Sequence, residues 1–211
     1  MVAVGRPRRA DLDGVILTAT ADLLVKGGLA AAGVDAIAAR AGVGKASIYR
    51  RWSSRDDLIL DALLVCTASS LKIPEQMSAV EALEFHVAEL AGVLSEPRIG
   101  PLLRALTARA QADDALAGRL RERWILPRRT VARQLVDRAL HEGSVDPGVD
   151  VELLLDELVA PHYFRLIYGL PALSREAVAV SVRQVLRGAG VRDHGEGASV
   201  QDLSGTTGDG H

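Results

Sequence analysis

Between Val34 and Trp52 the chain turns on a glycine. Val34, Ile37, Ala38 and Ala41 recur at the spacing that places side chains on one face of an α-helix. Gly42 follows at once, a residue that accepts the left-handed backbone of a sharp turn. A further helix is expected over residues 45–52, with Ile48 and Trp52, four apart, on its buried side. Two short helices joined by a glycine turn make a helix-turn-helix.

Helical spacing dominates elsewhere too, and strand-like alternation is scarce, so the fold class is all-α, with about nine helices. Leu12, Val15, Ile16, Ala19 and Leu23 form one stripe of a first helix over 12–26, stopped by Gly27 and Gly28. Residues 53–64 supply a serine cap, acidic first-turn residues and an apolar fourth helix. Further helices are expected over 79–94, 102–110, 114–142 with a kink at Pro127, 151–168 interrupted by Pro161, and 174–186. Residues 191–211 are rich in Gly, Ser, Thr and Asp and are expected to be a disordered tail.

The segment "AGVGKASIYRRW", residues 41–52, places a glycine, a lysine and a hydroxyl close together, which raises the possibility of a nucleotide-phosphate loop. That loop requires G-x-x-x-x-G-K-[ST] after a strand. Here Ala39 stands five residues before Gly44, Ala46 follows Lys45, and the preceding element is a helix. On a helical wheel the same residues sort differently. Ile48 and Trp52 face inward, Ala46, Ser47 and Arg50 point away, Lys45 and Tyr49 lie on one flank, and Arg51 lies on the other. A face of small and hydroxyl side chains fits the major groove, where Ser meets base edges and Arg takes guanine bidentately. Lys45, Tyr49, Arg51 and Arg55 suit phosphates on the groove walls.

Charge supports a local polyanion surface. Overall the net charge is -2, which argues against a uniformly basic binder, yet residues 1–60 carry nine Lys or Arg against six Asp or Glu.

No secretory signal precedes this segment, and no uninterrupted apolar span of membrane length is expected, so the expected location is cytoplasmic, with no membrane partner. The single cysteine, Cys66, is expected to be a small buried hydrophobe. Five dispersed histidines show no zinc spacing, and no nucleophile elbow or isolated carboxylate pair is present. Neither a metal, a cofactor nor an enzymatic activity is expected.

Val34–Leu63 resembles the helix-turn-helix signature of TetR/AcrR-family transcriptional regulators, through Ile37-Ala38, Ala41-Gly42-Val43, Ile48-Tyr49, Trp52, Arg55 and Leu58. The resemblance implies an all-α homodimer on a double-stranded, palindromic DNA operator. By position, Lys45, Ala46 and Ser47 would meet bases, Tyr49, Arg51 and Arg55 phosphates, and Arg50 either. The basic arm with Arg6, Arg8 and Arg9 resembles family arms that reach the backbone or minor groove. One departure is Gly33 where the family often caps the second helix with Thr, which removes a hydroxyl from the phosphate set.

Residues 103–188 resemble a subgroup of TetR-type C-terminal domains. The implied organisation is an arm and DNA-binding domain over 1–55 and an effector-binding and dimerisation domain over 56–190. Leu154, Leu158, Val178, Val182 and Val185 are the expected dimer interface. Phe85, His86, Leu103, Leu106, Trp124 and Tyr163 are the expected lining of a pocket for an unidentified small-molecule effector, since such a site needs apolar walls with a few polar handles. The reading is a repressor released from its operator by that effector. The alternative is a helical interaction module or enzyme whose helix-turn-helix does not bind DNA; it predicts that Tyr49→Ala and Arg51→Ala leave function intact.

Overall fold

The computed structural model describes residues 9–68 and 72–189. Arg6, Arg8 and the expected tail lie outside these residues, and Arg9 opens the first helix. The helices are α1 (Arg9–Ala31), α2 (Val34–Ala41), α3 (Lys45–Tyr49), α4 (Arg55–Thr67), α5 (Ala79–Ser95), α6 (Gly100–Ala110), α7 (Asp114–Leu120), α8 (Leu126–His141), α9 (Val151–Tyr168) and α10 (Arg175–Gly188). Among the described residues there is no strand.

Helix α1 outruns the expected end, yet the two glycines still interrupt it: Gly27 and Gly28 are non-helical, Gly28 with φ 61°. By length and composition Leu12–Ala31 is apolar enough to cross a membrane, contrary to the sequence expectation. Here it packs on α2 and α4 and buries Ile16 and Leu24. Its non-helical glycines are also poorly suited to lipid, where every backbone group must find a partner.

Helices α7 and α8 form one rod, and its irregularity falls just before Pro127. Arg121–Ile125 is a π turn, in which Leu126 N–H donates to Arg121 C=O. Such widened turns are common where a helix accommodates a disruption. This one carries Trp124 fully into the core.

Two apolar clusters organise the molecule. The first joins Ile16, Ile37, Ile48 and Trp52 to Leu58, Ile59, Leu60 and Leu63 of α4, and continues to Leu103, Leu106 and Trp124. Helix α4 is thus common to the helix-turn-helix unit and the helices above it. The second gathers Leu83 and Val87 of α5, Val136 of α8, Leu154, Leu155 and Leu158 of α9, and Val178, Val182 and Leu186 of α10.

That arrangement corrects two expectations. Leu154, Leu158, Val178 and Val182 are each at most 2% exposed within a single chain. They hold α9 and α10 against α5 and α8 and present nothing to a second protomer; Val185 alone of the five is half-buried. Cys66 is exposed, because it lies on the outer side of α4, next to exposed Val65.

Candidate nucleic-acid interface

Helix α2 starts at Gly33, which makes no side-chain cap, and ends at Gly42 in the left-handed region (φ 67°, ψ 33°). The turn is closed by Val43 N–H donating to Ala38 C=O at 3.0 Å. A side chain at Gly42 would be strained by the backbone alone. Helix α3 follows but ends at Tyr49, short of the expected Trp52; Ile48 within it is 1% exposed, and Trp52, just beyond it, is 5% exposed.

The opposite side of α3 is open. Lys45, Ala46, Tyr49 and Arg50 are exposed, and Ser47 is half-buried. Lys45 is ion-paired with Asp35 of α2, with both side chains largely in water. Arg50 Nη2 donates to Ser47 Oγ at 3.0 Å. A solvated pair of this kind is weak and exchangeable, so these groups remain available to a ligand.

Arg51 and Arg55 are placed differently. Arg51 is ion-paired with Asp13 of α1, and its Nη1 donates to Ser47 C=O at 2.9 Å. Arg55 Nε donates to Ala32 C=O at 2.8 Å, and its Nη2 donates to Leu29 C=O. Both guanidinium groups tie the recognition region to the end or the start of α1. Arg40 likewise pairs with Asp22, joining α2 to α1.

A second set of ties lies below α3 and was not found from sequence. Trp52 Nε1 donates to Asp61 Oδ2 at 2.8 Å, and Ser53 Oγ donates to Asp57 Oδ2 at 3.1 Å. Asp57 is also 3.0 Å from Arg119 Nε, Asp61 pairs with Arg123, and Asp56 lies 2.6 Å from Arg109 Nη2. Asp56 and Asp57, read from sequence only as first-turn acids, are nearly buried. The signal was present as two matched spacings, Asp57 with Asp61 and Arg119 with Arg123, each i,i+4. Nothing local in the sequence says that the two pairs meet.

The expected effector residues divide. Trp124 Nε1 donates to Tyr163 Oη at 2.9 Å, and Leu103 and Leu106 pack in the same cluster as Trp124. Arg128 stacks 3.5 Å over the Trp124 ring and donates to Thr67 Oγ1 at 3.2 Å. His86 is 2% exposed, and burial holds its imidazole below the usual histidine range. Phe85 stands apart, 5.8 Å beneath the Arg175 guanidinium. None of these six borders a cleft of about 260 Å³ between the α5–α6 turn and the end of α9.

Residues 16–62 match the family model described as bacterial regulatory proteins, tetR family, and residues 73–185 match the tetracyclin repressor-like C-terminal domain. The HTH-type transcriptional regulator YdeS of Bacillus subtilis (strain 168) is 35% identical over 163 residues, spanning 77% of this chain and 82% of its own length. The HTH-type transcriptional regulator AqdR of Rhodococcus erythropolis is 31% identical over 169 residues, spanning 78% of this chain and 81% of its own. The crystal structure of the TetR family transcription regulator SCO0332 superposes with a TM-score of 0.74 at 27% identity, over 84% of this chain and 97% of that one. With a glycine-turned pair of short helices presenting an open polar face, and with both halves of the chain matched, the protein belongs to the TetR family and is a helix-turn-helix DNA-binding transcriptional regulator.

Proposed function

We propose that the protein is a cytoplasmic repressor that binds a palindromic double-stranded operator as a homodimer and leaves it when a small-molecule effector binds. The observation that carries the DNA-binding part is the face of α3 and its C-cap: Lys45, Ala46, Tyr49 and Arg50 are exposed, while Ile48 in the helix and Trp52 just beyond it are anchored in the core. Ala46 and Ser47 let the helix approach base edges, with Lys45 and Arg50 beside them as donors. Tyr49 suits a phosphate. Arg51 and Arg55 act in this reading by fixing the angle of α3 against α1, and the arm with Arg6, Arg8 and Arg9 adds backbone contacts.

Dimerisation is supported by a face of which the sequence reading selected only Val185. Leu153, Phe164 and Tyr168 are 55%, 55% and 69% exposed and fall on one stripe of α9, while Pro161 and Phe164 border a shallow apolar depression with Val185 of α10. Large apolar side chains exposed together in this way mark an interaction site. Two copies joined there carry two recognition helices, as two half-sites about one helical turn apart require.

The test is binding to an operator selected from genomic DNA, measured by fluorescence anisotropy across a salt series. Tyr49→Phe, removing an uncharged hydrogen bond to phosphate, is expected to weaken binding by roughly tenfold at every salt concentration with the slope of log K against log salt unchanged. Lys45→Ala is expected to relax sequence preference. Selection that enriches no sequence, with an affinity indifferent to both substitutions, would reject this role for α3.

A further inference from the structure

The turn from Glu96 to Pro101, between α5 and α6, has a cleft on each side. One is the cleft of about 260 Å³, closed by the last turns of α9 and the loop into α10. The other lies against residues 24–29, where the glycines break α1. Pro97 and Pro101 line both clefts.

The first cleft is built like a site for an acid. Leu94, Leu166, Leu170 and Leu173 supply apolar wall, and Arg104, Arg165 and His162 supply polar groups. Arg104 has no hydrogen bond or ion pair to the described residues. Its Nη1 is 3.3 Å from where a Cβ on Gly169 would stand, so the guanidinium crosses the final turn of α9. Arg165 uses Nη1 to donate to Pro171 C=O at 2.6 Å and leaves its other donors unused. His162 is 4% exposed, and its Nε2 is buried with no hydrogen-bond partner. Such an orphaned polar atom costs free energy unless something occupies the cleft beside it.

The one acidic residue of the lining is already engaged. Glu96 Oε2 accepts the N–H groups of Arg98 and Ile99 at 2.7 and 2.8 Å, which fixes the turn. Two guanidinium groups therefore face the cleft against one carboxylate held by backbone. Planar guanidinium forks match a carboxylate bidentately, and the leucines match an aliphatic or aromatic body. The volume lies near the lower end for ligand pockets, which favours a short ligand.

We propose that this cleft is the effector site, that it takes a small organic acid with its carboxylate between Arg104 and Arg165, and that the Glu96–Pro101 turn transmits occupancy to the glycine break of α1. The proposal rests on the effector-responsive reading above. An occupant that wedges the turn away from α9 pushes Pro97 and Pro101 toward Lys26–Leu29. Gly27 and Gly28 interrupt helix α1 there, and α1 carries the Asp13–Arg51 tie to α3. The effector acts through its preference for one orientation of the DNA-binding fold.

The full-length protein is titrated by calorimetry with hexanoate, benzoate and their neutral amides, hexanamide and benzamide, and operator release is followed in parallel by anisotropy. At least one acid is expected to bind and to weaken operator affinity, with its amide at least about tenfold weaker. Arg104→Gln is expected to weaken the acid by about tenfold or more with unliganded operator affinity unchanged. Ala172→Trp, which fills the cleft mouth from the exposed loop, is expected to abolish acid binding with the same indifference. Failure of both acids to bind, equal binding of acids and amides, or acid binding unaltered in both variants overturns the site. Operator release by a neutral compound, unaffected by Arg104→Gln, overturns it while leaving the regulator effector-responsive. Operator binding that no compound changes removes the effector reading itself.

Discussion

Arg55, at the first position of α4, donates from Nε to the Ala32 carbonyl at 2.8 Å and so closes the C-terminal end of α1. It also donates to Leu29 C=O, which makes it a cap for a helix other than its own. Replacing it with alanine leaves two carbonyls without this donor. Arg55→Ala is expected to lower unfolding free energy by about 2 kcal/mol. Well below its melting temperature, the variant's operator salt slope is expected to match the parent's. A slope flattened by about one unit, with unchanged stability in chemical denaturation, would show instead that Arg55 reaches a phosphate.

Asp35 places a carboxylate beside Lys45 on the open side of the helix pair, the side proposed above to meet the operator. In the free protein it partly neutralises a cation that the operator would use, and it repels phosphate. Asp35→Asn is therefore expected to tighten operator binding by up to about fivefold near 0.1 M salt. The gain is expected to fade toward 0.5 M, where screening shortens the reach of both effects. Weaker binding in the variant at every salt concentration would mean that Asp35 positions Lys45 and does not compete with DNA for it.

What the sequence made legible was whatever depends on local spacing. The α2–Gly42–α3 turn, the buried pair Ile48 and Trp52, the bounds of α9 and the disturbance near Pro127 all follow from positions a few residues apart. What depends on long-range packing was not legible. Arg51 and Arg55 read as phosphate ligands because they are cations beside a recognition helix, and only the fold brings Asp13 and the α1 carbonyls to them. The stripe on α9 failed for a related reason. A helix with apolar residues on two sides has two candidate interfaces, and spacing alone does not say that Leu154 and Leu158 face α5 and α8 while Phe164 and Tyr168 face out.

The two sides of α9 are separable by substitution. Phe164→Glu puts a charge on the outer stripe without disturbing the core, and it is expected to convert the dimer to monomer at micromolar concentration in sedimentation equilibrium. Melting of the isolated chain is expected to change little. Leu158→Ala, on the inner side, is expected to cost about 2–4 kcal/mol of stability through the cavity it leaves. A dimer that survives Phe164→Glu would move the interface off this face.

Two buried imidazoles give the fold a pH dependence of definite sign. Burial lowers the pKa of His86, and Arg128 lowers it further against an opposing backbone contact. Burial likewise lowers that of His162, with Arg165 adding to it. Each therefore stays neutral in the folded chain at a pH where the unfolded chain, with a value near about 6.5, takes up a proton. Their contribution to stability is complete above that value and is lost as pH falls from it toward the depressed folded values. The slope is at most about 1.4 kcal/mol per pH unit for each histidine. The carboxylates with displaced values, Asp22, Glu81 and Glu176, are all lowered and titrate below this window. The melting temperature is expected to fall from pH 7.5 to pH 5, and His162→Gln is expected to make that fall shallower. A melting temperature that holds level or rises on acidification would show that neither ring is kept neutral by the fold.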